Sequence, residues 1–261
     1  MVHARAPVSG RAYGWTPPPD GHRGLRARAS ADELDALHIH TELAFLPPVT
    51  DQRHLGSCTG HAVACALTAR MAFQSLGSWL PSALDLYLGG RAAKGAADRD
   101  AGAILADVLH HAEVEGFAPD LHWPYSDHLD DFRGPPPAEL ATVRPRTRLI
   151  THEPLDWDLP TLRWELACGY PVVLGLRVYP SFETVGADAV IPMPDGAQVG
   201  GHAVCVVGYN DTRGALLVQN SWGTSWGAQG RAWLPYPYAL NPFWCGEMHA
   251  VRVIRREVIV S

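Results

Sequence analysis

At 261 residues, with a formal net charge of -6 and charged side chains at only 18%, the chain can bury a large core but carries no basic stripe for neutralising phosphates, so nucleic acid is not an expected partner. Its five cysteines form no CxxC pair, which argues against a disulfide framework or a zinc knuckle. No run approaches the ~18 apolar residues of a membrane span, and the first residues lack the ~7–15-residue apolar stretch of a secretory signal, so a reducing cytoplasm without a membrane partner is expected.

In chain order, residues 1–45 are polar and rich in Pro and Arg and read as an extended arm laid over the body, with ASADELDAL able to form one or two helical turns. Residues 46–261 read as one domain, with a helical lobe over about 50–130 and a β lobe over about 131–261. Ala62, Val63, Ala66, Leu67, Ala69 and Phe73 recur at helical spacing and predict a long central helix from Ser57 to Leu76, stopped at Gly77. A second helix is predicted from Ser82 as N-cap to Leu88, weakened at Gly89 and Gly90, and a third over Ala103–Glu115, stopped by Gly116. GPPPAEL reads as a break, followed by a short helix from Asp158 to Cys168. Beyond Pro171 the period becomes that of strands, in VVLGLRV, HAVCVVGY, ALLVQN, RAWLP and MHAVRVIRR. The fold class is therefore α+β: a helical lobe and an antiparallel β lobe with a cleft between them.

Four side chains define the expected chemistry. Cys58 opens the central helix six residues after Gln52, and His202 and Asn220 come from the β lobe on the other side of the cleft. Only a thiolate is a strong nucleophile. A helix N-terminus and an opposed imidazolium lower a thiol pKa from ~8.5 to as little as ~3–4. His202 would hold the proton and return it to a leaving amine, Asn220 would orient the ring, and Gln52 would join the Cys58 N–H around a developing oxyanion. Gly56 and Ser57 are small enough to let the chain approach a substrate carbonyl.

The strings PPVTDQRHLGSCTGHAVA, SALDLYLGGR, DRDAGAILADVLHHAEVEG followed by WPY, GGHAVCVVGYND and NSWGTSWGAQGRAWLPY resemble the papain-like cysteine peptidases, specifically the short bacterial type. The resemblance covers most of the chain. It implies a papain-like two-lobe fold and hydrolysis of peptide bonds through a thioester acyl-enzyme without metal or cofactor. Trp222 would shield the His202–Asn220 bond, Gly102 and Ala103 would line the wall where a peptide substrate pairs, and Gly201 and Ala203 would complete the substrate-binding set. Departures occur at Thr59, where an aromatic residue is usual, at Arg53 and His54 in the approach loop, and at Leu55, where secreted relatives carry a disulfide cysteine. The Ala, Arg, Gly and Pro bias suggests a bacterial genome rich in GC.

Two rivals stay open on sequence alone. A transpeptidase or amide-forming acyltransferase, as in peptide natural-product maturation, would share the acyl-enzyme, and a non-catalytic peptide-binding module would keep only the cleft. The other cysteines read as core residues, His38, His40, His110 and His111 as solvated surface groups, and Asp100 as a helix cap. The stretch from Ser181 to Val199 is expected to roof part of the cleft.

Overall fold

The computed structural model describes residues 11–19, 40–186 and 188–256. Helix α1 (Cys58–Phe73) is buried from Cys58 to Met71 on every side, so it is a core helix and not the one-faced helix its apolar spacing suggests. Its few polar groups find partners inside: Thr68 Oγ1 donates to the Ala64 carbonyl at 2.8 Å. It ends through Ser75 in a left-handed conformation (φ 57), short of the glycine expected to stop it.

Helix α2 (Ala83–Ala93) is capped as expected, with Ser82 Oγ accepting from Asp85 N at 3.2 Å, but it runs straight through Gly89 and Gly90. Helix α3 (Leu105–Val114) lies so close that a Cβ at Gly89 would fall 2.1 Å from the His111 ring. Here the glycines serve packing, and the tertiary contact outweighs their low helix propensity of about 1 kcal/mol each. Helix α3 starts later than expected because Ala103 is engaged in a β-bridge with Trp15. Helix α4 (Leu159–Ala167) is capped by Asp158, which accepts from Thr161 N at 3.0 Å.

The sheet is antiparallel throughout, in the order β2-β7-β3-β4-β5-β6. Its strands are β2 (Thr147–Pro154), β3 (Val172–Val178), β4 (Gly200–Asn210), β5 (Ala215–Gln219), β6 (Arg231–Pro235) and β7 (Cys245–Arg256); β1 (His40–Glu42) pairs with the far end of β4. Two strands escaped the sequence pattern. β2 carries register shifts between Leu149 and His152 that break its alternation, and β1 is three residues held by its neighbour. ASADELDAL lies outside the described residues.

Alternation along the central strands divides the core in two. Val173, Ala203, Cys205 and Val207 join the cluster around α1, whereas Val172, Leu174, Val204 and Val206 join a second cluster with Phe182, Trp222 and Trp226. Cys58 belongs to the first cluster, and the His202 ring packs against Phe182 and Trp222 of the second. The two residues thus stand on opposite sides of the seam between the cores.

Candidate active site

Cys58 is the first residue of α1, after Ser57 as N-cap. The loop before it is tied down twice. Tyr125 Oη donates to the Gln52 carbonyl at 2.7 Å and lies 2.7 Å from Ser57 Oγ, and Gln52 N donates to the Ser221 carbonyl at 2.9 Å. Ser221 Oγ also donates to Gln52 Oε1 at 2.7 Å, which fixes the amide so that Nε2 is the donor facing the cleft. Asp100, read from sequence as a helix cap, instead accepts from Gly56 N at 3.0 and 3.1 Å and from the Tyr87 hydroxyl at 2.5 Å. It clamps the approach loop.

Across the seam, β4 presents His202, whose Nε2 is 2.7 Å from Asn220 Oδ1. Trp222, 1% exposed, covers the ring at a centroid distance of 4.6 Å. The other ring nitrogen, Nδ1, has no hydrogen-bond partner among the described residues. Ala203, the next residue, has its backbone N–H on the sulfur of Cys58.

The cleft is filled by the chain's own N-terminal segment. Arg11–Thr16 runs through it as a strap. Ala103 N donates to Gly14 O at 2.6 Å, Thr16 N to Ala103 O at 2.9 Å and Trp15 N to Gly201 O at 3.2 Å. Gln52 Nε2 donates to the Ala12 carbonyl at 3.1 Å. The Tyr13 hydroxyl donates to the Glu183 carboxylate, and the Arg11 guanidinium stacks on Trp222 at 4.6 Å. A Cβ at Gly14 would fall 1.5 Å from the Gly56 carbonyl oxygen, and one at Gly102 2.3 Å from the Gly14 oxygen. Gly56, Gly102, Ala103, Gly201 and Ala203 thus all border the strap or the sulfur, whereas Ser57 turns its side chain to Tyr125.

Trp15 fills a pocket walled by Gly175, Gly201 and Gly246, where a Cβ at Gly175 would strike the indole at 2.2 Å. Its Nε1 donates to Glu247 Oε2 at 2.9 Å. Glu247 also accepts from Leu105 N and Ala106 N at the start of α3, and from His249. Burial opposes its ionisation, but these donors outweigh it and hold its pKa below the usual carboxylate value. Sequence reasoning missed Trp15 and Glu247. A lone Glu in the apolar strand CGEMHAV was the available signal. Of the stretch Ser181–Val199, Phe182 and Glu183 reach the site.

Occlusion reverses the expected electrostatics. Burial pushes the Cys58 thiol up to about 12, against the pull of backbone N–H groups of Ala203, Gly14, Thr59 and Trp15. Burial likewise lowers His202 to about 4, opposed by its bond to Asn220 and reinforced by Arg11. Under the strap the pair is therefore thiol and neutral imidazole, not the ion pair expected from a helix terminus alone: the strap excludes the water that would solvate charge.

Burial also lowers His61 to about 3, and any charge on His202 would lower it further; burial lowers His152 to about 4, with His249 adding to it. All three imidazoles take up protons more readily in the unfolded chain, whose His pKa is ~6.5. Stability that is complete above pH ~6.5 is therefore lost as pH falls toward 4. Urea unfolding at pH 7.5 and at pH 5 is expected to give a midpoint lower at pH 5 with an unchanged slope, and equal midpoints would contradict the buried neutral state.

Among the described residues no group of three or more His, Cys, Asp and Glu is arranged to hold a metal, and no helix is long and apolar enough to cross a membrane. His111 is largely buried against α2 and lies 3.6 Å from Asp85, contrary to the surface role expected of it, and His110 is exposed. His38 lies outside the described residues.

The model of the papain family cysteine proteases matches residues 32–237. The chain belongs to the papain family of cysteine proteases. It is 30% identical over 233 residues to an uncharacterized peptidase C1-like protein of Acanthamoeba polyphaga mimivirus, covering 83% of this chain and 74% of that one. Among solved structures it is similar to xylellain, a cysteine protease from Xylella fastidiosa, with a TM-score of 0.88 at 27% identity over 98% of this chain and all of that one. Procathepsin B S9 from Trypanosoma congolense shares the fold, with a TM-score of 0.74 at 19% identity over 96% of this chain and 88% of that one. The papain-like α+β fold and the nature of the enzyme, a papain-like cysteine peptidase, follow from this membership.

Proposed function

We propose that the chain hydrolyses peptide bonds with Cys58 as nucleophile, His202 as acid and base, Asn220 as the group that orients it, and Gln52 as oxyanion donor. In an open cleft the sulfur, its proton passed to His202 Nδ1, attacks the scissile carbonyl carbon. The oxyanion meets Gln52 Nε2, and His202 returns the proton to the leaving amine as the thioester forms. Water then adds, His202 takes its proton, and the acid product leaves. The observation that carries this reading is the His202–Asn220 bond at 2.7 Å, with the free Nδ1 on a ring whose next residue touches the Cys58 sulfur.

The same contacts make the described state a latent one. The strap occupies the oxyanion donor with the Ala12 carbonyl and turns the N–H groups of Gly14 and Trp15 toward the sulfur, so the groups it offers the thiol there are not electrophilic. Its anchor marks a specificity pocket: glycine walls admit a flat side chain, and the Glu247 carboxylate favours a donor or cation at its tip. Peptide and protein chains bearing Arg or Trp near the cleaved bond are the expected substrates. A reducing cytoplasm, expected from the spacing of the cysteines, belongs to the same proposal.

An epoxysuccinyl inhibitor is expected to add its mass to Cys58, and mass-spectrometric profiling of a peptide library to show enrichment of Arg and Trp at one position beside the cleavage site. An unlabelled Cys58 in an opened chain would favour a binding module. Capture of the acyl group by added amines in place of water would favour the acyltransferase reading.

A further inference from the structure

Beside Asn220 lies a small cavity whose lining includes Thr50, His61, Cys65, Gln219, Asn220 and Ser221. Two polar atoms of its lining residues are buried without a hydrogen-bond partner among the described residues: His61 Nε2 and Asn220 Nδ2. Buried polar groups are rarely left so, and a polar space of this size that can take a water molecule usually holds one. We propose that His61 is a positioning residue for the catalytic pair, acting on Asn220 through a single bound water. The inference rests on the roles proposed for His202 and Asn220.

The protons can be followed around the network. His61 Nδ1 is 2.9 Å from Thr50 Oγ1, and its ring is neutral, so with the proton on Nδ1 the Nε2 lone pair faces the cavity. The water accepts from Asn220 Nδ2–H and donates to His61 Nε2. That leaves Asn220 Oδ1 to accept from His202 Nε2 and from Ser221 N at 2.8 Å. A flipped amide would set its NH2 group against both donors. Ser221 therefore serves both amides: its hydroxyl orients Gln52 and its N–H orients Asn220, with His61 completing the second.

A crystal structure of the intact chain at 1.5 Å or better is expected to show one water within hydrogen-bonding distance of both His61 Nε2 and Asn220 Nδ2. In chains opened at the strap, His61→Phe, which removes the acceptor, is expected to lower kcat about tenfold with KM within about twofold, and His61→Gln to restore most of the loss. A dry cavity overturns the proposal. So does wild-type kcat in His61→Phe, or a Gln variant as impaired as the Phe one. A parent enzyme with no Cys58-dependent turnover would instead sink the proposed function, while the crystallographic result would still decide whether the water is there.

Discussion

Cys58→Ala is expected to abolish hydrolysis, with a fall in kcat of about 10⁵ or more in a strap-opened chain and folding unchanged. Removing the nucleophile of a group that acts as a unit costs nearly as much as removing the whole unit, and what survives comes from the oxyanion donor and substrate binding. Gln52→Ala should cost far less, about 10²–10³ in kcat. The thiol is fully buried at the start of α1, and an Ala methyl leaves the backbone there unaltered. Turnover of a fluorogenic peptide, read beside a thermal melt, checks this. Substantial residual hydrolysis by a well-folded Cys58→Ala chain would mean that another group does the chemistry.

Trp15→Ala is expected to raise the activity of the full chain by about 10² or more. Truncating a buried Trp typically costs about 3–5 kcal/mol, a factor of about 10² to nearly 10⁴ in the strap's hold on the cleft. Trp15 is 5% exposed and spends its indole N–H on Glu247, so both burial and hydrogen bond are lost together. Gly14→Val acts independently, because no rotation of the new side chain relieves a Cβ placed 1.5 Å from the Gly56 oxygen. Initial rates on a small peptide substrate and the rate of Cys58 alkylation should rise together in both variants. If neither rate changes, the strap does not limit access.

The proposed latency rests on short-range contacts of an extended strap. Among the described residues, the six of the strap each use a group the cleft already offers: an oxyanion donor, two strand-like edges at Ala103 and Gly201, an aromatic face at Trp222, the Glu183 carboxylate and a charged pocket floor at Glu247. Opening also changes the chemistry of the site. Once water returns, burial no longer holds the thiol at about 12 and the imidazole at about 4, and the helix terminus and the opposed ring can favour the ion pair that catalysis needs.

The sequence alone determined most of the helices and strands and named the groups proposed to react. The apolar spacing of α1, the Ser82 and Asp158 caps and the period-two strands are local signals, and Cys58, Gln52, His202 and Asn220 could be proposed together because acyl transfer demands those residue types around one thiol. Only the tertiary structure decided the rest. That Gly89 and Gly90 continue a helix, that Asp100 clamps Gly56, and that Glu247 floors a pocket each depend on partners more than ten residues away in sequence, which no local pattern encodes. The protonation of Cys58 and His202 was decided there too, since burial under the folded-back strap disfavours the charged form of both.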